Sequence, residues 1–173
     1  MSADNTTAIH EAGHAVAHIR LGILQDRVTI EPKDGVLGSA MAEGAGNVWD
    51  AEAAANQAIA FCSGYAALVA AGHDQPTALA GADDDFEQTE YLISFWGLQG
   101  GIADWRNRAV ELMAEPRNMA AVSLIAGHLE QEKTISGDVL DLLVDLSDGN
   151  CSQADFDRYM LLRASTRSDE LVD

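Results

Sequence analysis

The stretch Thr7-Ala8-Ile9-His10-Glu11-Ala12-Gly13-His14-Ala15-Val16-Ala17 decides how the rest of this chain is read. Apolar and small residues recur through it at helical spacing, which predicts a helix over 5–22. Asn5, Thr6 and Thr7 are available to cap its start, and Gly22 marks its end. On a helix, residues four apart lie one above the other, so His10 and His14 can offer imidazole nitrogens to one metal ion. Zinc takes such nitrogens at about 2.0–2.1 Å, and a catalytic zinc keeps three protein ligands and one position for water. Glu11 then stands beside the metal, where a carboxylate can accept the water's proton as general base. Gly13 costs a helix interior about 1 kcal/mol relative to Ala, which is easiest to explain if another element packs against this backbone near the metal.

Outward from that helix the pattern is mainly helical, with one β signal. Arg27-Val28-Thr29-Ile30-Glu31 alternates, Pro32 ends it, Lys33-Asp34-Gly35 turns, and Val36-Leu37-Gly38-Ser39-Ala40-Met41 returns, which predicts a small hairpin. A glycine-rich loop, Gly44-Ala45-Gly46-Asn47, leads to Asp50, a good N-cap for an alanine-rich helix reaching residue 71. Gly72-His73-Asp74-Gln75-Pro76 breaks it, and Asp83, Asp84 and Asp85 open a further helix where carboxylates suit the positive end of the dipole. Gly97 and Gly100-Gly101 stop that one. Pro116 separates helices expected over 103–115 and 117–132, and Ser136 and Ser152 introduce two more, to residues 146 and 163. The expectation is one domain over 1–163 and a polar, flexible tail over 164–173.

Composition narrows the function classes. The 173 residues are 47% hydrophobic and 22% charged, enough to bury a core without disulfides. With 28 acidic against 10 basic residues, the net charge of -18 lacks the cationic footprint that nucleic acid or an anionic leaflet demands. Cys62 and Cys151 form neither a disulfide framework nor a zinc-ribbon spacing. No secretory signal is visible, and the apolar run over 57–71 reads as too short and too interrupted by small or polar residues to span a bilayer, so the expected compartment is the cytoplasm. Trp49, Trp96 and Trp105 are expected as core or interface anchors, Cys62 as a buried small hydrophobe, and His73 and His128 as cations at helix ends.

A third metal ligand must come from elsewhere. His18 is one turn beyond His14, about 6 Å further along the axis and too far to share one tetrahedral ion, so it reads as a supporting or surface histidine. Glu52 on the alanine-rich helix and an aspartate of the Asp83-Asp84-Asp85 cluster are both candidates, and spacing does not choose between them.

The first stretch resembles the zinc-binding helix of the FtsH-type ATP-dependent zinc proteases, and the likeness continues in order. Val28-Thr29-Ile30-Glu31-Pro32 followed by Gly35-Val36-Leu37-Gly38 is similar to that family's strand pair. Ser63-Gly64-Tyr65-Ala66-Ala67 stands in the place of its G-G-R-A-A helix segment. Gly81-Ala82-Asp83-Asp84-Asp85-Phe86-Glu87-Gln88 looks like the element whose aspartate is the family's third zinc ligand, and the match falls on Asp85. The run Leu129-Glu130-Gln131-Glu132-Lys133-Thr134-Ile135-Ser136-Gly137 resembles its L-L-x-x-E-T-L-x-G ending. The likeness covers about residues 7 to 145, and it implies a mainly α zinc-metallopeptidase fold with Zn²⁺ on His10, His14 and Asp85 and with Glu11 catalytic.

The departures are as informative. Only nine residues precede His10 and no P-loop is present, so a peptidase domain is expected without the ATPase module and membrane anchors of the family. Tyr65, Leu68 and Ala80 replace the family's Arg, Glu and Thr, changes that bear on assembly contacts and the substrate groove more than on the metal. The leading expectation is a zinc metalloendopeptidase acting on peptides or unfolded protein, with room for a homo-oligomer and for a separate ATPase partner. The alternative is a catalytically impaired protease-like fold serving as a binding or regulatory module, which Tyr65, Leu68 and the missing motor favour modestly.

Overall fold

A computed structural model of the chain describes residues 3–32, 39–42 and 50–169. Among them are eight helices and one three-stranded antiparallel sheet, a mainly α architecture. Helix α1 (Ala3–Arg20) and helix α2 (Ala51–Ala70) pack together at the centre of the molecule. The composition explains how closely: Ala8, Ala12, Ala15 and Ala17 of α1, and Ala54, Ala58, Ala60, Ala66 and Ala67 of α2, are all fully buried. Gly13 is where the two backbones meet, since a Cβ there would lie 2.5 Å from the Ser63 carbonyl oxygen and 2.6 Å from the Ala67 Cβ. That is the close packing its cost in a helix interior implied. Helix α2 is long and apolar enough by length and composition to cross a bilayer, and 61% of its apolar window is buried inside the protein.

The remaining helices follow the punctuation of the sequence. Asp50 caps α2 by accepting from the Ala53 N–H at 2.9 Å. Helix α3 (Gln75–Leu79) is a short addition in the segment read as a break: Asp74 caps it, accepting from the Thr77 N–H, and Pro76 sits in its first turn. Helix α4 (Asp83–Trp96) opens on the three aspartates and ends at Gly97, whose φ of 62° suits a residue without Cβ. Helices α5 (Ile102–Met113) and α6 (Pro116–Glu132) flank Pro116, and α7 (Gly137–Asp148) ends on Gly149 at φ 76°. Helix α8 (Gln153–Asp169) runs on past Arg163 into the stretch expected as a tail. Likewise α1 starts at Ala3, so Asn5 lies inside its first turns and donates across to Glu130 at 2.8 Å instead of capping.

The hairpin pairing is present: β1 (Gln25–Thr29) runs antiparallel to β2 (Ser39–Ala42), with Val28 opposite Ala40. The Lys33-Asp34-Gly35 turn, the Gly44–Asn47 loop and Trp49 lie outside the described residues. A third strand, β3 (Thr134–Ser136), pairs with the other side of β1, so among the described residues β1 is central and β2 has an outer edge. Val28 and Ile135, opposite each other, are buried on the core face. At the end of α1, the Arg20 guanidinium donates to both Asp148 oxygens at 2.6 and 2.8 Å and to the Asn118 side-chain amide oxygen at 2.8 Å, which fixes α1 against α6 and α7. Trp105 and Cys62 are buried core residues, and Trp96 is half-buried.

Candidate metal centre

Two helices and the start of a third converge on one point. His10 and His14 project from the same face of α1 towards α2, and Asp85, in the first turn of α4, meets them. The His10 and His14 Nε2 atoms are 3.0 Å apart, and the Asp85 Oδ2 lies 3.2 and 3.3 Å from them. A tetrahedral ion with bonds of about 2.0–2.1 Å has ligand atoms about 3.3–3.4 Å apart, so this triangle has nearly the dimensions of one tetrahedral face. Glu52, the competing candidate, is exposed in the first turn of α2 and is not part of the cluster.

The backbone around the triangle is shaped for it. A Cβ on Gly64 would fall 2.5 Å from both imidazole Nε2 atoms, so only a glycine leaves that volume open. One turn earlier on α2, the Ala60 carbonyl accepts from His14 Nδ1–H at 2.8 Å. That bond places the proton of neutral His14 on Nδ1 and leaves the Nε2 lone pair facing His10 and Asp85. Thr89 anchors the first turn of α4 by donating to the Asp85 carbonyl at 2.8 Å.

The electrostatics call for positive charge at this point. Burial opposes an imidazolium at His14, yet the charge and hydrogen bond of Asp85, the charge of Glu11 and the Ala60 carbonyl raise its pKa to about 9. Burial lowers the pKa of His10, and the nearby His14 lowers it further. Burial alone would raise that of Asp85, but the two histidines hold its carboxyl far below the usual carboxylate range. Glu11 is 6% exposed, and burial pushes it up to about 7, with Asp85 adding to the rise and His14 opposing it. The site thus holds one carboxylate that stays charged and one that can exchange a proton near neutrality.

No family model matches the sequence, and no curated protein does. The likeness to the zinc proteases therefore rests on the order and spacing of the motifs.

The structure also shows what spacing could not. His18 is 3% exposed, not a surface residue; Gln25 lies beside it, and neither ring nitrogen makes a hydrogen bond of normal geometry. Gly64 and the Ala60 carbonyl were not recognised as parts of the site. For Gly64 a signal existed, a second glycine inside a helix where it costs about 1 kcal/mol relative to Ala. For the Ala60 carbonyl there was none, since every residue has one.

Proposed function

We propose that the chain is a zinc-dependent metallopeptidase, related in design to the protease domain of the FtsH-type enzymes. The observation that carries the reading is the convergence of His10, His14 and Asp85 on a space that a Cβ at Gly64 would fill. Two imidazole nitrogens and one carboxylate oxygen would suit zinc, and with three protein ligands a fourth position would remain for water. Zinc bound there would polarise the scissile carbonyl and lower the pKa of a water molecule towards ~7.

The chain's own residues supply the rest. Glu11, buried and raised to about 7, takes the proton of the attacking water and returns it to the leaving amine. The Ala60 carbonyl keeps His14 aimed and in the correct tautomer, and Asp85 would complete the donor set. The outer edge of β2 offers main-chain hydrogen bonds to an extended substrate, which favours peptides and unfolded segments. A separate ATPase that delivers unfolded protein would fit this substrate class.

Two variants test the reading together. Glu11→Gln should retain one zinc per chain by elemental analysis and lose cleavage of an unstructured protein by roughly 10²–10⁴-fold. Asp85→Ala should lose the zinc itself. Hydrolysis by Glu11→Gln equal to that of the wild type would refute the mechanism. Zinc retained with no hydrolysis in the wild type would favour a binding module.

A further inference from the structure

Arg106 of α5 lies against the candidate site on a ledge of two aromatic rings. Its Cζ is 4.5 Å from the centroid of Tyr65 and 5.0 Å from that of Phe86, and these rings meet edge to face at 5.7 Å. Tyr65 follows Gly64 and Phe86 follows Asp85, so the two rings that carry the guanidinium are the next residues in sequence after two positions of the site, on two separate helices. The Cys62 thiol, pushed up to about 11 by burial, feels the charges of both Asp85 and Arg106.

Arg106 has two aromatic rings under it and, among the described residues, no carboxylate beside it, as Arg108 on Trp105 also lacks one; Arg106 differs in lying on the rings next in sequence to Gly64 and Asp85. In a chain with 28 acidic and 10 basic residues, Arg20 pairs with Asp148, Arg117 with Glu115 and Arg163 with Asp138. Arg106 is half-buried and, among the described residues, makes neither an ion pair nor a hydrogen bond. Stacking uses the faces of a guanidinium, while its five N–H donors lie in the plane and stay free. The two rings therefore fix the orientation of the fork without consuming it, which reduces the entropy lost when a planar bidentate anion docks.

We infer that Arg106 determines specificity by binding a carboxylate of the substrate, either an acidic side chain near the cleaved bond or a free C-terminus. This rests on the peptidase reading above. It also runs against the field of the whole protein, which favours basic partners, so the selection must be local.

The test uses the zinc-loaded full chain and quenched fluorescent peptides differing only in Glu against Gln at each position around one bond, each with a free or amidated C-terminus. Wild type should prefer Glu at one position, or the free acid, by roughly tenfold or more in kcat/KM. That ratio should fall to about one in Arg106→Met and be partly kept in Arg106→Lys. Position-dependent Glu preference assigns an acidic side chain, and dependence on the free terminus assigns the α-carboxylate. The same peptides binding to zinc-loaded Glu11→Gln, read by anisotropy, should show the same ratio without turnover. No carboxylate preference in a wild type that cleaves would overturn the inference alone. So would a uniform loss over all peptides in both Arg106 variants with a lowered Tm, which marks a purely structural clamp. Arg106-dependent binding without cleavage would instead overturn the peptidase reading and leave the carboxylate site standing.

Discussion

Replacing Gly64 by Ala tests whether the triangle is the seat of a metal ion, because the added methyl lands among the donor atoms. Its Cβ would lie 2.5 Å from each imidazole Nε2 and 2.6 Å from His10 Cε1. Ordinary contacts begin at about 3.4 Å, so each ring must retreat by roughly 0.9 Å, against a tolerance of about ±0.2 Å for metal–ligand distances. His10, 12% exposed at the rim, can swing aside, but His14 cannot move without straining its bond to the Ala60 carbonyl. That bond is worth about 0.5–1.5 kcal/mol, and Ala gains about 0.5–1 kcal/mol over Gly inside a helix, so metal-free stability should change by no more than about 1 kcal/mol. Affinity for zinc should fall much further. Disturbing an outer-shell partner typically costs 10–100-fold, and here two donors move, so at least ~100-fold is expected, or about 2.7 kcal/mol. The assay is competition against a chromophoric chelator with protein stripped of metal, paired with thermal melts with and without zinc. The stabilisation that zinc confers should shrink by the same ~2.7 kcal/mol under saturating ligand. Wild-type zinc affinity in Gly64→Ala would refute the assignment of the site.

Two further substitutions probe the frame around the site. Gly13→Ala places a Cβ 2.5 Å from the Ser63 carbonyl and 2.6 Å from the Ala67 Cβ, backbone and stem atoms that cannot swing away. It should force α1 off α2 and cost about 1–3 kcal/mol, read as a lower urea midpoint with or without zinc. His18 titrates at about 4 in the folded chain, lowered from 6.5 by burial and then by His14. The unfolded chain therefore binds its proton first, so His18 removes about 3 kcal/mol of stability as pH drops from about 6.5 to 4, while Glu11, raised to about 7, acts in the opposite direction. His18→Leu removes only the His18 contribution, so its stability relative to the wild type should rise as pH drops through that window, and a difference that stays constant with pH would refute the reasoning.

How much could be read in advance follows from how local each feature is. Asp50, Gly97 and Pro116 act within one turn of the backbone, so the helices they bound were legible. The segment at Asp74-Gln75-Pro76 misled because a proline that ends one helix can also begin the next. Strand β3 has three residues, too few for any period, and exists because β1, more than a hundred positions earlier, offers it a paired edge. His10, Glu11 and His14 were legible because one helical turn fixes their relation. Asp85 was not accessible from spacing, since its place depends on how α4 docks against α2, and only the resemblance singled it out.

The two carboxylates at the centre show why composition could not assign the roles that geometry supports. Both sit near His14 in a chain with acid to spare, yet their surroundings drive them apart. Asp85 shares two imidazoles, which hold its carboxyl far below the usual carboxylate range and keep it charged near neutrality, the behaviour a metal ligand needs. Glu11 is buried, an effect that the charge of His14 only partly offsets, and it rises to about 7, where gaining and losing a proton cost about the same. A pair of acids separated in this way divides into one that binds charge and one that moves protons. Exchanging their environments would exchange their roles, and that is why Glu11→Gln should cost hydrolysis while Asp85→Ala should cost the metal.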